Sequence, residues 1–96
     1  MDQKDILDAL GEYKNQFAEK YGILSIGIFG SLARNEDRED SDVYVIIRLA
    51  KPELFTLAWI KQDLEDRFNK PVDIVTYREK MNSFLKKRID KEAVYV

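Results

Sequence analysis

The chain reads as an α+β domain, a small mixed β-sheet flanked by helices in an α/β sandwich-like arrangement. Two observations predict this. Three short runs rich in β-branched residues, at 23–29, 42–49 and 71–77, are separated by stretches whose apolar residues recur every three or four positions. The link between the first two runs has room for only a short helical stretch. The strands it joins therefore need not be parallel, and a mixed sheet is expected.

The elements follow in order. Residues 3–20 form a helix with Ile6, Leu10, Tyr13 and Phe17 on one stripe, and Gly22 ends it. Residues 23–29 form a buried strand that carries Gly27. Gly30-Ser31 is a tight turn, Leu32, Ala33 and Arg34 begin a short helix, and residues 35–41 are a polar, charged loop. The second strand covers 42–49. Pro52 suits the first turn of a helix that reaches about residue 69, with Leu54, Leu57, Leu64 and Phe68 as its core face. Residues 71–77 are a third strand, with Pro71 in the opening or edge position that proline tolerates. A last helix over 80–90 is anchored by Phe84, Leu85 and Ile89. The apolar tail 93–96 is a short strand or a docking segment.

Composition narrows the chemistry. An apolar fraction of 45% with 11% aromatics supports a folded core and excludes wholesale disorder. By size, residues 1–96 make a single domain. There is no cysteine, so disulfides and thiolate metal sites are out. There is no histidine either, which removes Ser-His-Asp and Cys-His catalysis and imidazole metal ligation. Any catalysis rests on Asp, Glu, Lys, Arg, Ser or Tyr, or on a metal held by oxygen atoms. The net charge of −2 comes from 16 basic and 18 acidic residues that are interspersed, so no basic stripe marks a nucleic-acid footprint. A charged N-terminus and the lack of a long apolar run predict neither a signal peptide nor a membrane span. A cytoplasmic location is expected.

The most informative segment lies between the first two strands. A small-residue turn such as Gly30-Ser31 after a strand can present backbone N–H groups to a phosphate. Equally, Gly30 can simply make the turn while Ser31 caps the short helix after it. Asp42 opens the next strand, either as a strand-starting residue or as a ligand holding a cation against that phosphate. Asp73 lies between Val72 and Ile74, where a carboxylate is paired, metal-bound or facing water at a sheet edge. Arg34 either reaches a phosphate or pairs with the acidic run at 36–40. Residues two apart in a strand share a face, so position 44 points where Asp42 points. Tyr44 stands there.

Gly30-Ser31, followed through Ser41-Asp42, resembles the Gly-Ser…Asp-x-Asp signature of the polymerase-β-like nucleotidyltransferases. The fuller run Gly30-Ser31-Leu32-Ala33-Arg34 is similar to the minimal nucleotidyltransferase (MNT) branch. Pro71-Val72-Asp73-Ile74-Val75 resembles that branch's strand bearing the third carboxylate. The resemblance covers nearly the whole chain in element order and implies the polymerase-β-like fold. It implies that Gly30, Ser31 and Arg34 bind a nucleotide triphosphate, and that Asp42 and Asp73 are catalytic and hold Mg²⁺. The implied chemistry is transfer of AMP or another nucleoside monophosphate from ATP or another NTP to a hydroxyl, with release of pyrophosphate. The implied partner is a HEPN-domain toxin, inactivated by AMP transfer to a tyrosine.

The chain departs from that pattern at Tyr44, where the family has its second Asp. A phenol is a poor Mg²⁺ ligand at neutral pH and its ring crowds the metal space, so metal binding is expected to be weak and turnover slow. Two classes result: an adenylylating enzyme, or a fold that neutralises its partner by contact alone. Asp40 offers a substitute Asp-x-Asp, but it belongs to the charged run 36–40, which is expected to be solvated. Asn35 replaces a glycine of the family pattern and tolerates positive φ. Transfer to a small molecule is disfavoured because no second domain is there to hold the acceptor. In the long second helix Phe55 and Trp59 lie i, i+4 beside the core face. One is expected to extend the core and the other to be exposed. With Tyr95 and Val96 they suggest a contact surface for a homodimer or a toxin complex.

Overall fold

The computed structural model describes residues 2–36 and 41–96. Helix α1 spans Gln3–Tyr21, strands β1 and β2 span Ile23–Phe29 and Val43–Leu49, and helix α2 spans Leu54–Phe68. Strand β3 (Val72–Thr76), helix α3 (Ser83–Glu92) and strand β4 (Val94–Tyr95) complete the order. The sheet runs β3-β2-β1-β4. β2 is antiparallel to β1 and parallel to β3, and β4 is antiparallel to β1, so the sheet is mixed as the short first link predicts.

Local chemistry sets the ends of α1. The Asp2 carboxylate accepts from the Asp5 amide at 2.9 Å while Asp5 accepts from the Asp2 amide at 3.3 Å, a reciprocal cap. At the other end Gly22 closes the helix at φ 67°, a left-handed conformation that suits glycine. Ile6, Leu10 and Tyr13 are buried and Phe17 is half-buried, so the stripe falls where its spacing places it.

Alternation along the strands sends side chains to two layers. Ile26, Ile28, Val43, Val45, Ile47 and Val72 face α1 and α2 in the larger core. Phe29 and Ile46 face the other way, where Ile89 of α3 covers them. The apolar tail becomes β4, and its fit depends on Gly27. A Cβ there would strike the Val94 carbonyl and lie 2.9 Å from the Tyr95 Cα. The Lys14 ammonium donates to the Val96 carbonyl at 2.9 Å and ties this end to α1.

Five expectations about elements and packing need correction. No helix forms over Leu32–Arg34; residues 31–35 make a hydrogen-bonded turn instead. On α2 the buried stripe is Thr56, Ile60, Leu64 and Phe68, while Leu54 is 79% exposed. The four-residue spacing back from Phe68 lands on Thr56, and at 3.6 residues per turn Leu54 sits roughly 120° from the direction of Ile60. Phe55 and Trp59 are both exposed, although the Trp59 ring leans on Tyr21 with centroids 6.5 Å apart. On α3 Ile89 is buried and Leu85 half-buried, but Phe84 is exposed because it lies roughly 140° around the helix from Ile89. That helix starts at Ser83 rather than 80, since the Asn82 side chain caps it by accepting from the Leu85 amide at 3.1 Å.

Candidate functional site

Topology gathers the site at one end of the sheet. β1 runs antiparallel to β2, so the exit of β1 lies beside the entrance of β2, where Phe29 pairs with Tyr44. β3 runs parallel to β2, so its entrance is at the same end, where Tyr44 pairs with Asp73. Phe29, Tyr44 and Asp73 therefore share the face covered by α3. An open cleft of about 660 Å³ lies there, lined by Gly30, Ser31, Arg34, Tyr44 and Asp73 together with Leu85 and Arg88 of α3.

The turn after β1 is held from several sides. Gly30 takes φ 81°, which an L side chain resists. The Arg34 and Glu36 amides donate to the Gly30 and Ser31 carbonyls at 3.2 and 2.8 Å. Asn35 sits at φ 59°, the left-handed conformation expected of it in place of glycine. Leu32 is buried beneath the turn, and the Gln3 amide of α1 donates to the Leu32 and Ala33 carbonyls at 3.1 and 3.0 Å. The first helical residue of the chain thus fixes the height of the turn against the sheet.

Tyr44 lies over this turn. Its ring is 5.6 Å from that of Phe29, and its Cδ2 comes within 3.3 Å of where a Gly30 Cβ would be. The aromatic ring thus packs on the glycine of the turn. Asp73 is exposed on β3, an edge strand, so its charge stays hydrated and needs no buried partner. Asp42 is half-buried just ahead of β2 and does not line the cleft. Asp40, the alternative second carboxylate, lies outside the described residues.

Arg34 takes the pairing role and also lines the cleft. Its Nε donates to Glu36 at 3.1 Å and its Nη1 to Glu92 at 2.9 Å, and these carboxylates, Glu36 first, raise its pKa and keep it charged. Leu85, Arg88 and Glu92 escape a reading of the sequence alone, because which strand end α3 covers depends on the tertiary path. A partial signal is there: Leu85, Arg88 and Glu92 stand at i, i+3 and i+7, one flank of the helix beside the Ile89 anchor.

Among the described residues, the carboxylates near the cleft are too few for a pair of hard cations. Mg²⁺ takes oxygen ligands and commonly uses one or two carboxylates, with phosphate oxygens and water supplying the rest. Of the two expected carboxylates, Asp73 lines the cleft and Asp42 stands just ahead of β2, outside its lining. A pair of ions would need a third carboxylate at 44, and among the described residues no group of three carboxylates converges.

Residues 12–96 match the family described as "Polymerase beta, Nucleotidyltransferase". "Putative protein adenylyltransferase MJ0126" of Methanocaldococcus jannaschii is 36% identical over 93 residues, covering 96% of this chain and 95% of that protein. "Protein adenylyltransferase MntA" of Thermococcus cleftensis is 32% identical over 94 residues, covering 97% and 94%. Among solved structures, a "putative minimal nucleotidyltransferase" superposes with a TM-score of 0.78 at 30% identity, covering 98% of this chain and 95% of that one. The Shewanella oneidensis complex of a tri-AMPylated HEPN toxin with MNT antitoxin matches with a TM-score of 0.71 at 15% identity, covering 97% and 70%, a likeness of fold. The chain belongs to the polymerase beta nucleotidyltransferase family, on its minimal nucleotidyltransferase branch.

Proposed function

We propose that the chain, acting as a single domain, is the antitoxin-type nucleotidyltransferase of a toxin–antitoxin pair, transferring AMP from ATP to a hydroxyl of a HEPN-domain partner. The observation that supports this best is the gathering of Gly30, Ser31, Arg34, Tyr44 and Asp73 in one cleft at the strand ends. Relatives named as protein adenylyltransferases favour AMP as the transferred group, and the fold shared with an MNT antitoxin favours the partner class. A cytoplasmic setting fits a reaction that consumes ATP, and among the described residues no helix is long and apolar enough to cross a membrane.

The chain's own groups divide the work. Gly30 lets the triphosphate approach the backbone closely, and Ser31 offers its hydroxyl and amide to phosphate oxygens. Arg34 supplies positive charge from the rim. Asp42 and Asp73 would hold one Mg²⁺, which when bound neutralises charge on the phosphates. In the transfer, the acceptor oxygen bonds to the α-phosphorus as the bond to pyrophosphate breaks, and the hydroxyl proton passes to solvent or to a nearby carboxylate.

Tyr44 supports a second reading, in which the same fold neutralises its partner by binding without transfer. Its ring packs on Gly30, where a nucleotide phosphate would approach, and removes a carboxylate from the metal site. Incubation with α-labelled ATP, Mg²⁺ and a HEPN-domain protein separates the two. Label on the partner with pyrophosphate release identifies the enzyme; a tight unlabelled complex identifies the binder. Tyr44→Asp is expected to raise transfer at least about tenfold by restoring the third carboxylate. Equal transfer by both forms would show that Tyr44 costs nothing.

A further inference from the structure

Two arginines converge on one oxygen at the mouth of the cleft. Arg34 Nη1 donates to Glu92 Oε2 at 2.9 Å, and Arg88 Nη2 stands 3.8 Å from that same oxygen. Arg34 comes from the turn after β1, whereas Arg88 and Glu92 come from α3, so one carboxylate draws guanidinium groups from two elements into one wall. Their engagement differs. Arg34 is held by two carboxylates at hydrogen-bond length. The Arg88 contact is too long for a hydrogen bond, and 60% of its side chain is exposed. Arg88 lines the cleft, and among the described residues no hydrogen bond claims its guanidinium, which carries five N–H donors.

The charge of the cleft points the same way. Of its lining residues, Arg34 and Arg88 are positive and Asp73 is negative; Glu36 and Glu92 answer Arg34 at hydrogen-bond length, so Arg88 is the cation least neutralised by the protein itself. An aspartate at 44 would add a second negative charge to the cleft lining beside Asp73; Tyr44 adds none. A guanidinium fork matches a phosphate bidentately and carries its charge at any pH of interest.

Resting on the reading of this cleft as a nucleotide site, we infer that the chain binds the polyphosphate of a nucleotide through Arg88, with Arg34 beside it, and needs no divalent cation to do so. Arg88 supplies the positive charge that a second metal ion would otherwise bring. Glu92 is a positioning residue, holding both forks at the rim without touching the ligand.

Calorimetric titration of the full chain with ATP, once in EDTA and once in Mg²⁺, tests this. The dissociation constant in EDTA is expected to lie within about threefold of that in Mg²⁺, because the arginines carry the affinity. Arg88→Gln is expected to weaken binding in EDTA about tenfold or more, and Arg88→Lys to recover part of the loss by keeping charge without the fork. Lys87→Gln, next door on the exposed side of α3, is expected to change it by less than about twofold. Inorganic tripolyphosphate is expected to displace ATP, since the contacts are to phosphate. Tyr44→Asp is expected to make binding depend on Mg²⁺. Binding in Mg²⁺ alone, with Arg88→Gln indistinguishable from the unmodified chain, overturns the inference and leaves the nucleotidyltransferase reading standing. No ATP binding in either buffer overturns both.

Discussion

On one face of the sheet, Ile26, Ile28, Val45 and Ile47 are buried under two helices; on the other, Ile46 packs with Phe29 and Ile89 beneath α3 alone. The thin face is also the one that carries Tyr44, Asp73 and the cleft. Stability and chemistry are therefore assigned to opposite sides of one four-stranded layer. A face covered from end to end offers no room for a ligand, whereas a face covered by one ten-residue helix leaves the strand ends open. Residues on the deep face should govern folding most strongly, and those on the thin face should govern binding at a lesser cost in stability.

The largest effect expected is on the deep side. Leu64→Ala removes a fully buried side chain from the cluster between α2 and the sheet, and should cost about 3 kcal/mol. Ile89→Ala removes an equally buried side chain from the thin side, where fewer neighbours surround the cavity and it collapses more readily, and should cost about 2 kcal/mol. Urea unfolding of both variants gives the comparison. Ile89→Ala should in addition weaken ATP binding, because α3 carries Arg88 and Glu92, whereas Leu64→Ala should leave it unchanged while folded. Equal losses of stability together with equal binding would erase the distinction between the faces.

A smaller effect separates the faces by pH. Tyr13 is fully buried on the deep side, and its hydroxyl donates to Asp63 at 2.8 Å. Burial first, and then the Asp63 carboxylate, push its pKa upward. A raised folded-state pKa adds stability that is fully present below the unfolded value, about 10, and is lost as pH rises toward the folded one. Stability should therefore fall above about pH 10. On the thin side, Tyr77 is raised by its hydrogen bond to Asp90 and Tyr95 by burial, so both add to the same slope. Tyr13→Phe should cost about 1 kcal/mol at neutral pH and flatten the alkaline fall more than Tyr77→Phe does. Melting temperatures from pH 7 to 11 decide it; a greater flattening by Tyr77→Phe would show that the deep hydroxyl is not the governing one.

Legibility in the sequence divides along the same line. Strands announce themselves through β-branched runs, and the rule that residues two apart share a face is enough to place Tyr44 beside the site. Gly30, Ser31 and Asp73 are weak signals singly; their spacing along the chain and the order of strands around them make them legible as neighbours, and they do line one cleft. Arg88 and Glu92 are not legible, because only the tertiary path decides that α3 closes this end of the sheet. Asp73 shows the limit from another side: a carboxylate among apolar neighbours looks costly until β3 proves to be an edge strand, where water reaches it. Composition likewise cannot say which turn of an apolar-rich helix faces inward, since Leu54 and Phe84 are as apolar as the residues buried in their stead.

Those two residues give the smallest effect and the sharpest test of the packing. Leu54 is 79% exposed and Phe84 80% exposed, so neither loses a buried contact when truncated. Leu54→Ser and Phe84→Ser should each shift stability by less than about 0.5 kcal/mol, as surface substitutions usually do. A loss near 2 kcal/mol at either position would mean that its helix is rotated and that the apolar spacing along the chain does set the buried face. The rotation would matter most at Phe84. Turning α3 so that Phe84 enters the core swings Arg88 and Glu92, four and eight residues on, around with it toward the sheet. Arg88 would then no longer face the cleft, so denaturation of Phe84→Ser checks the wall of the binding site as well as the thin core.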